Sequence, residues 1–426
     1  MINAWHSSLM DGHHEHIASM VREENRHFKG DCCGRKIKLI KFPLPFPLSS
    51  FLNMTSAIDR IISIQKNIIS RFTHVHGRRA LFDELHLDPA PYDLDFDIEE
   101  LFDVGRTDLL LDRRGRPWIC EFNFDSSIGG AEIASFHNGL CSRILNDDPR
   151  IVDSIRRTTG LSMNPAYTDP CDDMARLVAD KAREHRCTRV VLLDLKEWIE
   201  AGYFSMNVFR SRIAQFTGEE NIRVEPHDET TYVPHPEDLV FRLFPLDDRQ
   251  DLIRFMAHIK IRSKRLISPS ETDIGCSKMW LALLQSSTFR DFMSAEETVL
   301  VDCFIPHSFQ ATKKFMPQLI KNKNALVFKS LHSYGGKGVV IGRNTSTDEV
   351  EATIGENPES WICQRLIEPL KIKLMNENDE ISPASVVLGI YKAGTRYSGP
   401  MIRASYETDI VNVSKGAMVG YAFLIA

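Results

Sequence analysis

No stretch of this sequence approaches the roughly 18 consecutive apolar residues that a membrane-spanning helix requires, so no membrane partner is expected. The nine cysteines include the neighbours Cys32 and Cys33 but no C-x-x-C pair. That spacing disfavours a structural zinc and a disulfide scaffold, and points to a reducing, cytoplasmic setting. The opening MINAWHSSLMDGHHEHIASM lacks a basic segment followed by an apolar one, so nothing marks it for export. Its His13, His14 and His16 are read as part of a polar amino terminus rather than as metal ligands. Excess positive charge is missing too: the formal net charge is -6, which argues against nucleic acid as a partner. Internal repeats, low-complexity tracts and a G-x-G-x-x-G fingerprint are likewise absent.

What remains is an ordinary globular composition, 43% hydrophobic and 26% charged, over 426 residues. That length favours two or three packed units. SAIDRIISIQKNIISRF carries Ile61, Ile62, Ile64, Ile68 and Ile69 at helical spacing after Thr55-Ser56, which predicts a helix with one core face. TDLLLD and PWICEFNF predict two strands joined at Arg114-Gly115. Beyond Asp169, DDMARLVADKAREH, RVVLLDL, NIRVEPH and DLVFRLFPL alternate helical and strand patterns, as a Rossmann-like α/β unit does. ALVFKSL, GVVIGRN, WICQRLI, SVVLGIY and YSGPMIRAS predict an antiparallel, strand-rich end with helices on one face.

Two clusters carry chemistry. In FKSLHSYGGKGVVIG, Gly335, Gly336, Lys337 and Gly338 lie between two apolar runs, with Lys329 on the first. This is no Walker motif, because Lys337 is followed by glycine where a hydroxyl would be needed for magnesium. Such a loop can still fold over phosphates through closely approaching backbone N–H groups, and a plain turn explains it equally well. In GRTDLLLDRRGRPWICEFNFD, Arg106 and Asp108 alternate on one strand, and Glu121, Asn123 and Asp125 on the next. Alternate residues share a strand face, so these groups can converge. Oxygen ligands of the Asp, Glu and Asn type suit magnesium; a solvated, charge-paired face would read the same way. Cys120 falls on the opposite face from Glu121 and reads as a small hydrophobe. His137 has no visible nucleophile partner.

Taken in order, DVGRTDLLLD, GRPWICEFNFDSS, SKMWLALL, VFKSLHSYGGKGVVIG, WICQRLIEP and VVLGIYKAGTRYSGPMIRASYETDIVNVSKGA resemble the glutathionylspermidine synthetase group. That group has a circularly permuted type 2 ATP-grasp fold. The resemblance runs from Arg106 to the last residues and implies an α/β (α+β) chain in three units. These are 1–165 with the metal and acyl-phosphate hairpin, 166–268 as the Rossmann-like preATP-grasp unit, and 269–426 as the nucleotide-binding unit with its phosphate lid. It implies ATP and Mg2+ as cofactors, with Asp108, Glu121 and Asn123 on the metal and Arg106 and Arg403 in catalysis. Lys278, Lys329, Gly335 to Gly338, Gln364, Leu366 and Ile367 would contact the nucleotide. Asp125, Ser126 and Ser127 would lie on the substrate side, where Gly129 and Gly130 shape a turn. DLVFRLF is similar to the group's D-L-V-Y-R-R, with Leu243 in place of the second arginine, and Lys329-Ser330 replaces the usual K-P.

The activity so implied is an ATP-dependent carboxylate-amine ligase acting through an acyl phosphate and releasing ADP and phosphate. An amino acid or small peptidic acid is the expected substrate. Three alternatives stand beside it: transfer of the acyl group to the thiol of an acyl carrier protein, a nucleotide-binding regulatory or scaffold protein without turnover, and a kinase.

Overall fold

The computed structural model describes residue 19 and residues 31–425, except 33–34, 42–43, 90–95, 126–128, 161–167, 201–203, 219–220, 247–248, 263–264, 334–335, 337 and 376–379. Among the described residues no helix is long and apolar enough to cross a membrane. Three larger sheets organise the chain.

The central sheet has seven strands and draws on distant parts of the chain. Leu44–Pro47 is its edge, followed by Met418–Ile425, Arg396–Ser405, Ile381–Ala393, Val104–Leu111 and Pro117–Asn123, with Lys371–Met375 also paired to Ile381–Ala393. Only the Leu44–Pro47 pairing is parallel. Pro45 and Pro47 suit an edge, because a strand there needs hydrogen-bond donors on one side only. The long helix Leu48–His76 follows directly and buries Phe51, Met54, Ile58, Ile61, Ile62, Ile68 and Ile69.

That helix begins two turns before the Thr55-Ser56 start that the sequence suggests. Phe51 and Met54 continue its apolar stripe backwards, and the Thr55 hydroxyl, which reads as a cap, donates instead to the Leu52 carbonyl at 3.0 Å inside the helix.

The second sheet is parallel throughout, in the order Arg223–Asp228, Arg189–Asp194, Asp238–Arg242, Leu266–Ile267. Helix Pro170–Glu184 is capped by the Asp169 carboxylate on the Cys171 N–H and starts with proline at its first position. It covers one face through Met174 and Val178, against Val190 and Leu192. Ile253, Met256 and Ile259 of Gln250–Arg262 cover the other, against Val191, Leu193 and Val240. Burial on both faces explains why the strand reads as an unbroken apolar run.

The third sheet is antiparallel, in the order Ser308–Gln310, Trp361–Arg365, Leu326–Ser330, Val339–Ile341. Thr347–Ile354, with a Ser346–Glu349 capping box, packs Val350 and Ile354 on its Phe328 and Cys363. The strand patterns from residue 326 onward thus divide between two sheets, and the cleft between these sheets holds the candidate site.

Candidate functional site

The hairpin of Val104–Leu111 and Pro117–Asn123 forms the floor. Arg106 pairs with Asn123 and Asp108 with Glu121 across it. After Asp108 the register slips, so Leu109 faces Ile119 and Cys120 has no opposite number. Such a bulge adds a residue to one strand and re-aims its side chains. It corrects the strict alternation expected for this strand. Ile119 and Phe122, three apart, both enter the core, while Cys120 and Glu121 both line the cleft. The Cys120 thiol is pushed up to about 11 by burial, with Lys329 opposing that shift, which leaves a weak nucleophile.

Asp108 is the best-partnered group on the floor. Its Oδ1 accepts from Arg106 Nε at 2.7 Å, and its Oδ2 from Arg106 Nη2 at 3.2 Å and Asn123 Nδ2 at 3.3 Å. Arg403 Nη2, from Arg396–Ser405, lies 2.7 Å from the same Oδ2. Burial raises the Asp108 carboxyl, but the two guanidinium charges and their hydrogen bonds outweigh it and hold the group below the usual carboxylate range. Arg106 also donates to the Gly129 carbonyl at 2.9 Å. Its stem lies over Gly389, where an added Cβ would sit 2.7 Å from Arg106 Cδ, so glycine is what lets the arginine cross the neighbouring strand.

Two lysines join the floor to the other wall. Lys329 Nζ donates to the Cys120 carbonyl at 2.7 Å and to Gln364 Oε1 at 2.8 Å, while Gln364 Nε2 donates to Ser308 Oγ at 3.0 Å. Burial lowers the Lys329 ammonium from its usual range, with Cys120 and Glu121 acting in the opposite sense. Lys278, between the short helices Thr272–Cys276 and Trp280–Leu283, has its Nζ 3.3 Å from Glu121 Oε1 and donates to the Ser333 carbonyl at 2.8 Å.

The cleft encloses about 1030 Å³ of open space, its mouth included. Leu110, Val327, Ile341 and Val387 make it apolar away from the lysines, and Leu366 and Ile367 lie along that part. One lysine-rich end and one apolar end suit a molecule with a charged tail and a flat, apolar head. Arg403 Nε is buried with no hydrogen-bond partner among the described residues, a donor that a bound oxyanion would satisfy.

The expected metal ligands fare differently. Asp108, Glu121 and Asn123 lie together, but Asp108 has both oxygens taken up by arginines, and Glu121 faces Lys278. Among the described residues no group of three or more His, Cys, Asp or Glu side chains is placed to hold a metal ion. As arranged, the set does not fit a resident divalent cation.

Of the remaining expected residues, Gly336 packs against the 410–412 loop, with Ile410 and Asn412 atoms 3.4 Å from a would-be Cβ, and its φ of +75° favours glycine. Gly338 accepts the Ser330 N–H through its carbonyl at 2.8 Å. Gly335, Lys337, Ser126 and Ser127, like His13, His14 and His16, lie outside the described residues. Asp125 is not on the cleft wall. Its Oδ2 meets Arg242 Nη2 at 2.5 Å, and Arg242, wholly buried, also donates to the carbonyls of Ser268 and Phe244. The arginine of DLVFRLF therefore ties the hairpin to the parallel sheet. His137 is structural: its Nδ1 accepts the Tyr421 N–H at 2.8 Å and its Nε2 faces the Ile40 carbonyl at 2.8 Å.

Sequence reasoning missed Arg343 and Asp409, which face each other across the mouth. Arg343 Nη2 lies 2.7 Å from Asp409 Oδ2, and Arg343 Nη1 contacts Glu368. Lys371 and Ser385 hold Asp409 from behind. Burial raises that carboxyl, but these hydrogen bonds bring it to about 2. Each of the two lies in a segment with other readable features, and only the meeting of two sheets makes them a pair.

No family model matches the chain, and no curated protein matches it. Among solved structures it is similar to a glutathione synthetase-like effector from Globodera pallida, solved in its apo form. The TM-score is 0.63 at 12% identity, over 96% of this chain and 97% of that one. The class so defined is a mixed α/β protein of glutathione synthetase-like fold. Likeness at that identity speaks for the fold.

Proposed function

We propose that this protein is an ATP-dependent ligase that joins a carboxylate to an amine through an acyl phosphate. In this reading the substrate carboxylate attacks the γ-phosphorus of ATP, and the bond to the bridging oxygen breaks to release ADP. The amine then attacks the acyl carbon, phosphate leaves, and an amide forms with loss of the amine's proton. Phosphoryl transfer asks a protein mainly for alignment and for neutralisation of spread charge.

One observation carries the reading: the Lys329 ammonium reaches the Cys120 carbonyl at 2.7 Å, so the glycine-loop strand and the acidic hairpin meet in one cleft. Lys278 and Lys329 would neutralise the phosphates, with Gly336 and Gly338 in the loop above them and Gln364, Leu366 and Ile367 along the base. Arg106 and Arg403 would orient the carboxylate, with Arg403 Nε as the donor still unfilled. Mg2+ enters this proposal only as the counter-ion that the triphosphate brings with it. An amino acid or small peptidic acid is the proposed substrate class.

A second reading is favoured by the state of Asp108. A carboxylate already paired with two arginines suits a protein that binds nucleotide without turning it over. An ADP-release screen of carboxylic acids, with and without amine acceptors and an acyl carrier protein, separates the readings. ADP released only with acid and amine supports the ligase. Release dependent on the carrier selects a thioester product, and a phosphorylated hydroxyl selects a kinase. Nucleotide binding without ADP supports the silent reading, and AMP with pyrophosphate overturns the acyl-phosphate mechanism.

A further inference from the structure

The hairpin that carries Asp108 and Glu121 carries a second, cationic depression at its turn. Arg114 and Arg116 of the turn and Trp118 of the strand after it meet Arg290, His307 and Arg365 from three other segments. Along the strand, the four residues from Asp108 to Asp112 span about 13 Å, so the depression opens at the far end of the hairpin, with Arg365 lining both it and the cleft.

Two carboxylates also line it, and both are already engaged. Asp112 Oδ1 accepts the backbone N–H groups of Arg114 and Arg116 at 2.9 and 3.0 Å, and its Oδ2 accepts the Trp118 indole N–H at 3.2 Å. Asp302 Oδ1 lies 2.5 Å from Arg290 Nη2. Among the described residues Arg114 and Arg365 belong to no ion pair. Arg290 Nε is buried with no partner among them.

Two of the guanidinium groups are also held in place. The Arg116 and Arg365 carbons lie 4.2 and 4.9 Å from the Trp118 ring centre, and Arg116 Nη2 donates to the Cys303 carbonyl at 2.6 Å. Planar forks fixed before binding lose little entropy when they grip an oxyanion, and they match phosphate and carboxylate oxygens two at a time. Like charges gathered in this way repel until an anion joins them.

We propose that this depression is a binding site for a small oxyanion carrying two or more negative charges. Phosphoryl and carboxylate compounds share that chemistry, and two probes tell them apart.

The test is calorimetric titration of inorganic pyrophosphate and of citrate into the wild-type chain, Arg114→Gln, Arg114→Gln/Arg116→Gln, and Lys329→Ala. The last variant removes a cation from the nucleotide cleft instead. Saturable binding of either probe is expected in the wild type and in Lys329→Ala, weakened at least tenfold in the double variant. Arg114→Gln, altered at an exposed turn position, should show part of that loss if the double variant does not fold. Preference for pyrophosphate assigns a phosphoryl ligand and preference for citrate a polycarboxylate. No saturable binding of either probe overturns the proposal. So does binding that survives the arginine substitutions or disappears in Lys329→Ala.

Discussion

Arg403 and Asp108 meet at 2.7 Å on the floor of the cleft, each almost fully buried, and Arg106 grips the same carboxylate from the other side. Three charges share one apolar-walled site, and the single negative one is in the minority.

Removing that negative charge should therefore be costly. Asp108→Asn leaves two buried guanidinium groups without a counter-charge, a change of about 3–5 kcal/mol in systems of this kind. Urea denaturation of the variant should report a loss of that order. A loss below about 1 kcal/mol would mean that water reaches the site and screens the arginines.

Lys329→Ala and Glu121→Gln should each abolish turnover while leaving the fold intact. Lys329→Ala removes the donor to Cys120 and Gln364, worth roughly 1–3 kcal/mol of stability. Circular dichroism should stay native, and ADP release should fall at least a hundredfold. Rates within a factor of two of wild type would defeat both assignments.

The Arg343–Asp409 pair spans the mouth between two sheets, so it should act on nucleotide exchange. A partly exposed pair contributes up to about 1 kcal/mol, which is roughly a fivefold effect. Arg343→Met should speed release of a fluorescent ATP analogue by about that factor, and 0.5 M salt should erase the difference. Unchanged release at low salt would show that the pair does not gate the cleft.

Acid should weaken the fold through His137. Burial lowers its imidazole to about 4, against an ordinary 6.5, although the Ile40 carbonyl opposes the shift. The unfolded chain takes up a proton below about pH 6.5 and the folded one does not until about pH 4. Stability from this group is thus complete above 6.5 and falls as pH drops between those values, by about 3 kcal/mol in all. His137→Gln should flatten that part of the curve of melting temperature against pH; an equal slope in both proteins would rule it out.

The sequence made much of this molecule readable, and its failures have physical causes. Strands such as Arg189–Asp194 and Leu326–Ser330 were legible because burial writes itself as an apolar run. The convergence of Arg106, Asp108, Glu121 and Asn123 was legible from alternation, since two strands joined by a short turn must pair. The bulge at Cys120 was not, because one extra residue leaves no mark on composition. Nor could Asp125 be placed: its partner Arg242 is 117 residues away and belongs to another sheet. Arg343 and Asp409 are 66 residues apart, and no local pattern joins a strand end to a loop.

The pairing of Leu109 with Leu388 has a consequence for biosynthesis. Those strands leave the ribosome roughly 280 residues apart, so at about 5–20 residues per second the hairpin waits tens of seconds for its neighbour. Throughout that interval the edge of the nascent hairpin that Ile381–Ala393 will cover has no partner, so its backbone donors and acceptors stay open to water until the last part of the chain is made.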